Sequence, residues 1–320
     1  MADCVYQISP DARHVLAAVN PNAGCRNNRE VVARVEERLR EADFEVEIFH
    51  DIERLKAAAA RRAESGSLRA VIAAGGDGTA SLIANETPPG TPLLVIPLGT
   101  ENLLAKHLGM TTDPERLARI VAEGWACRLD AGEANGKLFL VTAGCGFDAD
   151  VVRRMHRTRR GQIRHYSYAG PIFDAVRHYS YPELKVQYLA SDDPERWETL
   201  TGRWVFLVNV PRYAGGLNFA PEASGTDGLI DVCVFRDGSL WNGLYYLSQV
   251  LLGRQRSLAG YQCVRTTRLK ITTDGEAPYQ LDGDPGGELP LEVVVRPSRL
   301  TTLVERTWVE KVMTPALAIS

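Results

Sequence analysis

Ala70-Val71-Ile72-Ala73-Ala74 runs directly into Gly75-Gly76-Asp77-Gly78-Thr79. The first five residues are small or β-branched with no polar interruption, the pattern of a strand buried on both faces. The glycines that follow admit positive φ and close backbone approach, and residues 80–85 then read as a helix. A strand that empties through glycines into a helix aims backbone N–H groups at one point, where a phosphate fits. A plain, tight strand-to-helix connection has the same texture. Asp77 shifts the reading toward chemistry. Its carboxylate would repel a bare phosphate and instead suits a metal ion or a substrate hydroxyl.

Working outward, the same grammar repeats on both sides. Residues 14–19 form an apolar run ending in Asn20-Pro21-Asn22-Ala23-Gly24, followed by a helix with Val31, Val32, Val35 and Leu39 on one face. Residues 44–49 alternate as a strand, and the Ala-rich residues 55–62 read as a helix. Downstream, the strand 93–96 runs into Pro97-Leu98-Gly99-Thr100. Strands separated by helices predict a Rossmann-like α/β domain with a parallel sheet covered on both faces. Ligands in such sheets sit beyond the carboxyl ends of the strands, where all three glycine-bearing loops fall. There is no Gly-x-x-x-x-Gly-Lys-Ser/Thr motif and no Gly-x-Gly-x-x-Gly after the first strand. That argues against a P-loop NTPase and a plain dinucleotide dehydrogenase.

Beyond residue 125 the texture changes. Runs at 137–142, 184–189, 204–210, 229–235, 268–273 and 291–295 read as strands separated by turn residues, an antiparallel β-sandwich. We therefore expect an α/β domain over residues 1–125, with 300–320 packing back on it. A β-rich domain over 126–299 follows, carrying a helical, basic insertion at 148–179.

Asn20-Pro21-x-x-Gly24, Gly75-Gly76-Asp77-Gly78-Thr79 and Pro97-Leu98-Gly99-Thr100-x-Asn102 occur in that order, each after a strand. With Asp130-x-Gly132, Gly144-x-Gly146-Phe147-Asp148, the stretch 220–231 and Leu281-Asp282-Gly283-Asp284, they resemble the diacylglycerol kinase catalytic family, which includes sphingosine, ceramide and bacterial lipid kinases. The resemblance covers nearly the whole chain. NAD kinases share the Gly-Gly-Asp-Gly-Thr motif, and the long β domain with its late acidic motif favours the lipid branch. The resemblance implies ATP and Mg²⁺. Asn20, Gly75, Gly76, Asp77, Gly78 and Thr79 would hold the nucleotide phosphates, with Gly99, Thr100 and Asn102 lining the same cleft between the domains. Asp227, with carbonyls at Ser224 and Leu229, would hold a magnesium ion.

The family motif Asp-Gly-Glu, whose Glu is the general base, is matched by Asp282-Gly283-Asp284. This implies Asp284 as base, Asp282 as its partner and Asp77 as a further catalytic group. Asp284 is one methylene shorter than Glu, about 1.5 Å of reach. Asp274-Gly275-Glu276 spells the motif literally but falls about eight residues early and is read as lacking the following strand, so it is taken as a decoy turn. Ordinary acidic or β-turns account for these stretches as well. Two further departures are Glu101, where the family has a small residue, and the lack of a clear match near Phe49-His50 for a Thr that contacts ATP. Glu101 either points away from the site or pairs with Lys106.

The six cysteines show no C-x-x-C pair and no disulfide or zinc spacing, so reduced thiols are expected. The net charge of −3 excludes a global basic field for nucleic acid. No signal-like N-terminus and no spanning-length apolar run is present. We expect a cytoplasmic protein that meets its lipid peripherally at a membrane surface, with oligomeric state open, a homodimer included. Arg153, Arg154, Arg157, Arg159, Arg160 and Arg164 form a run without acids, followed by Tyr166, Tyr168, Ile172 and Phe173. It reads as a solvated helix face or as a surface for anionic head groups. The leading expectation is an ATP- and Mg-dependent lipid kinase acting on a diacylglycerol-type hydroxyl. The alternatives are an NAD kinase-like enzyme with a soluble substrate and a catalytically silent lipid-binding regulator.

Overall fold

The computed structural model describes residues 4–19, 26–158, 179–193 and 195–313. The chain divides into two compact units, residues 1–129 with 298–320 and residues 130–297.

The first unit contains β1 (Val5–Gln7), β2 (His14–Val19), α1 (Arg26–Glu41), β3 (Glu45–Phe49), α2 (Ile52–Glu64), β4 (Leu68–Gly75), α3 (Asp77–Glu86), β5 (Pro92–Pro97), α4 (Leu103–His107) and α5 (Pro114–Glu123). β6 (Trp125–Ala134) carries the chain out of it. Strands β3, β2, β4 and β5 lie in that order and all run parallel, with Val15 opposite Ala70 and Val71 opposite Leu93. Every residue of β4 is buried, as its uninterrupted apolar run requires of a central parallel strand. Arg69 lies within it, and its guanidinium donates to the carbonyls of Ile8, Ser9, Val121 and Ala122. Four carbonyl acceptors make burial of that cation tolerable. Helix ends follow local chemistry. Asp51 caps α2 and Asp113 caps α5, which has Pro114 at its first position and Gly124 at positive φ after its end.

The second unit contains β7 (Lys137–Phe139), β8 (Thr142–Gly146), α6 (Phe147–Thr158), β9 (Leu184–Leu189), β10 (Trp197–Gly202), β11 (Trp204–Val208), β12 (Ile230–Phe235), α7 (Leu240–Leu251), β13 (Tyr261–Thr266), β14 (Arg268–Thr272), β15 (Pro278–Leu281), β16 (Asp284–Glu288) and the first part of β17 (Leu291–Leu303). One antiparallel sheet has the order β13-β12-β11-β8-β15-β16. A second layer joins β10, β9, β14 and β17, also antiparallel. Val205, Leu207, Ile230, Val232 and Val234 of the first sheet pack with Leu184, Val186, Leu269, Ile271 and Val293 of the second layer, forming one core. This is the expected sandwich. Alternate residues Trp204, Phe206, Cys233 and Phe235 face the other way, onto Phe147, Val151 and Met155 of α6 and Tyr246 and Val250 of α7.

From Ser298 the chain is again part of the first unit, where Thr301 and Thr302 of β17 pair in parallel with Pro92 and Leu93. Helix α8 (Arg306–Met313) follows, and Arg116 makes a two-pronged ion pair with Glu305 just before it.

Three sequence expectations change. The single strand expected over 137–142 is two strands, broken where the amides of Leu140, Val141 and Thr142 turn to the carboxylate of Asp282. The turn-rich stretch after Asp282 is itself a strand, β16. Asp274-Gly275-Glu276 does have a strand after it, β15, so a following strand does not separate it from the later motif. Of the helical insertion expected at 148–179, residues 159–178 lie outside the described residues.

Candidate active site

In the first unit, the loops after β4 and β5 meet backbone to backbone. A Cβ on Gly99 would lie 2.5 Å from the Cα of Gly76, and one on Gly75 would lie 2.2 Å from Oγ1 of Thr79. Gly99 and Gly76 are thus glycine because the loops touch, and Gly75 because Thr79 of its own loop folds back on it, requirements independent of any ligand. At the start of α3 the N-cap residue is Gly76, which has no side chain with which to cap the helix. Asn102, in the left-handed region, clasps the Gly99 peptide: its Oδ1 accepts from Gly99 N (2.8 Å) and its Nδ2 donates to Gly99 O (2.9 Å). Thr100 lies between them in the same loop. Asn20 lies outside the described residues.

Asp77 has a third use that sequence reading did not anticipate. Its two carboxylate oxygens accept from the consecutive amides of Leu103 (2.9 Å) and Leu104 (3.0 Å), the first turn of α4. A carboxylate there answers unpaired N–H groups and the helix dipole. Burial pushes its pKa up, and the two amide bonds work against that shift. The α4 N-terminus thus already holds an anion supplied by the protein. Glu101 sits 3.8 Å from Lys106, so it is paired, as one of its two expected placements required.

In the second unit, Asp282 and Gly283 are the two-residue turn between β15 and β16, both at positive φ (51° and 85°). Asp-Gly is the sequence favoured for such a hairpin turn. The Asp282 carboxylate accepts from three successive amides: Leu140 (2.7 Å), Val141 (2.8 Å) and Thr142 (3.1 Å). Asp284, two residues on, is 44% exposed, and its Oδ1 lies 3.1 Å from Nε2 of His156 on α6. One carboxylate of the motif is therefore clamped, and the other faces outward with an imidazole beside it. Sequence reasoning missed His156, which sits inside an arginine run and carries no local signal.

Other acidic groups of this unit are engaged with backbone or buried side chains. Asp130 accepts from Gly228 N (2.7 Å), while Asp227 accepts from Leu229 N (3.1 Å) and Ser224 Oγ meets Thr226 Oγ1 (2.8 Å). The loop carrying Ser224, Asp227 and Leu229 is thus shaped by carboxylate–amide bonds. Asn209 is buried, donates to the carbonyls of Asp130 and Leu140, and leaves its Oδ1 unpaired among the described residues. Asp148 is buried between Tyr213 and Gln280 Nε2, and a Cβ on Gly144 would press on its Oδ2 at 2.4 Å. Burial raises its pKa.

Among the described residues, no three His, Cys, Asp or Glu side chains converge on a point. Magnesium in nucleotide sites commonly takes one or two carboxylates and completes its shell with phosphates and water. Asp227, with the hydroxyl and carbonyl oxygens of its loop, fits that kind of donor set. In the basic run, Arg153 and Arg154 both bind the buried Asp150, and Arg153 also reaches Glu288. These two are tied into the fold. Arg159, Arg160, Arg164 and the aromatics after them lie outside the described residues.

The profile of the "Diacylglycerol kinase catalytic domain" family matches residues 14–134. That of the "YegS C-terminal NAD kinase beta sandwich-like domain" matches residues 141–304, more than half the chain. The chain belongs to the diacylglycerol kinase family. It is thereby an enzyme of the lipid kinase class. A diacylglycerol kinase of Mycobacterium tuberculosis is 31% identical, over 80% of this chain and 82% of its own. One from Bacillus subtilis is 28% identical, over 86% of this chain and 91% of its own. A putative diacylglycerol kinase structure from Bacillus anthracis shares the fold, with a TM-score of 0.72 at 18% identity, covering 93% of this chain and 97% of that one.

Proposed function

We propose that this family member transfers the γ-phosphate of ATP, with magnesium, to a hydroxyl of a diacylglycerol-type lipid. The observation that carries the proposal is the division of labour in the Asp282–Asp284 turn. Asp282 is fixed on three amides, which holds the hairpin and so the position of Asp284. Asp284 is half-exposed and oriented by His156, which leaves Oδ2 to take the proton of the attacking hydroxyl. In that step the lipid oxygen bonds to Pγ, the bond from Pγ to the bridging oxygen breaks, and ADP leaves. Phosphate oxygens are assigned to the N-terminus of α3 beside Gly76 to Thr79, where the helix dipole favours anions and Gly76 brings no capping side chain. Magnesium, held at Asp227, would offset charge on the phosphates.

The lipid substrate requires peripheral contact with a membrane. No helix among the described residues is long and apolar enough to cross one. Of the basic run, Arg157 and the residues beyond it remain for head-group contact, since Arg153 and Arg154 are engaged with Asp150. The test is incubation with γ-labelled ATP, magnesium and a crude lipid extract. Labelled phosphatidic acid is the expected product. Label confined to a water-soluble acceptor such as NAD would overturn the substrate class.

A further inference from the structure

Helix α7, Leu240-Trp241-Asn242-Gly243-Leu244-Tyr245-Tyr246-Leu247-Ser248-Gln249-Val250-Leu251, contains no charged residue. One face is accounted for. Tyr246 and Val250 are buried in the aromatic cluster on the first sheet, Leu247 packs against it, and a Cβ on Gly243 would strike the ring of Trp204 at 2.5 Å. The opposite face is also apolar. Trp241 is 77% exposed, and Leu244, Tyr245, Leu251 and Leu252 are each more than half exposed. These five are most of the exposed large hydrophobic residues among those described. A surface helix normally presents a polar face to water, so this one lacks the partner its composition calls for.

The charges around it select that partner. From Gly238 to Thr273 the sequence has no Asp or Glu; of its cations, Arg265 pairs with Asp231 and Lys270 with Glu292, while Arg254 follows the helix directly. Exposed arginines stand just before and just after the helix, at Arg236 and Arg254. Acids are at the margin: Asp237 bonds Tyr246, and Glu222 pairs with Arg256. Trp and Tyr on an apolar face flanked by arginines match a bilayer interface, where rings sit at head-group level and cations meet anionic lipid. A second copy fits less well, because a two-fold helix pairing would bring arginines together with no acid on α7 to answer them.

We infer that the outer face of α7 is the surface by which the enzyme docks on anionic bilayers. The inference rests on the lipid kinase reading, since a membrane-resident substrate gives such a face a purpose. Docking places Trp241, Leu244 and Leu251 among the acyl–head-group boundary, with Arg236 and Arg254 at the phosphates.

The test is co-sedimentation of the full chain, without nucleotide, with phosphatidylcholine vesicles containing or lacking phosphatidylglycerol. The expected result is binding favoured by phosphatidylglycerol. Replacing Trp241, Leu244 and Leu251 together with Ser should lower the bound fraction by about tenfold or more. Trp241→Phe should retain binding, and Arg254→Glu should weaken only the preference for anionic vesicles. The serine variant should keep the wild-type melting curve and its turnover of a detergent-dispersed short-chain diacylglycerol. Unchanged vesicle binding in that variant would overturn the inference. So would a wild-type dimer, seen by light scattering, that the same substitutions dissociate. Failure of the kinase reading would appear separately, as no turnover by the wild type in detergent.

Discussion

The β4–α3 loop and the β15–β16 hairpin both centre on an aspartate next to glycine, yet they handle it differently. In the first, Asp77 is buried and gives both oxygens to the amides of Leu103 and Leu104, while glycine at 76 and 99 lets two loops touch. In the second, Asp282 takes the amide-binding role and a second carboxylate, Asp284, is left half-exposed beside His156. A motif aspartate is thus not by itself a reacting group. The carboxylate saturated with backbone N–H bonds sets geometry, and the one with a spare oxygen is available for proton transfer.

The largest stability effect should come from the loop–loop contact. Gly99→Ala forces a Cβ against the Gly76 backbone, which should cost about 3 kcal/mol by denaturant unfolding. A near-neutral result would mean that the two loops do not touch in solution. Next, Asp282→Ala deprives three amides of their acceptor and should cost about 2 kcal/mol, whereas Asp284→Ala should leave stability nearly unchanged. Equal losses would erase the distinction between the two carboxylates. Asp77→Asn keeps only one oxygen acceptor for two amides, and weakening the α4 cap should cost about 1 kcal/mol.

The smallest effect is pH-dependent. Burial raises the pKa of Asp148 above its unfolded value of about 3.9. A group with a raised folded pKa contributes stability below the unfolded value and loses it as pH rises through the folded value. The melting temperature of Asp148→Asn relative to wild type should therefore climb as pH increases from about 4 toward neutrality, by about 2–4 °C. A gap that narrows with rising pH would show that the Tyr213 and Gln280 bonds outweigh desolvation.

Much of this was legible in the sequence because it is local. The buried strand β4, its exit through Gly75 and Gly76, and the β–α alternation follow from periodicity and turn chemistry. What escaped was set by pairing across distance. β16, Asp-Pro-Gly-Gly-Glu, has no strand propensity and is a strand because β15 pairs with it across the Asp282-Gly283 turn. The break between β7 and β8 is made by a carboxylate more than a hundred residues away. Cys233 and Cys263, with no sequence motif, face each other across β12 and β13 with sulfurs 3.5 Å apart. His156 beside Asp284 is likewise a product of α6 packing on the hairpin.

The assignment of Asp284 as the proton acceptor is tested most directly by label transfer from γ-labelled ATP·Mg to diacylglycerol. Wild type, Asp284→Asn and Glu276→Ala would be compared at equal folded concentration. Positioned proton transfer contributes about 10²–10⁴-fold, so Asp284→Asn should lose at least the lower end of that range while Glu276→Ala stays near wild type. Full activity in Asp284→Asn, or a comparable loss in Glu276→Ala, would contradict the account.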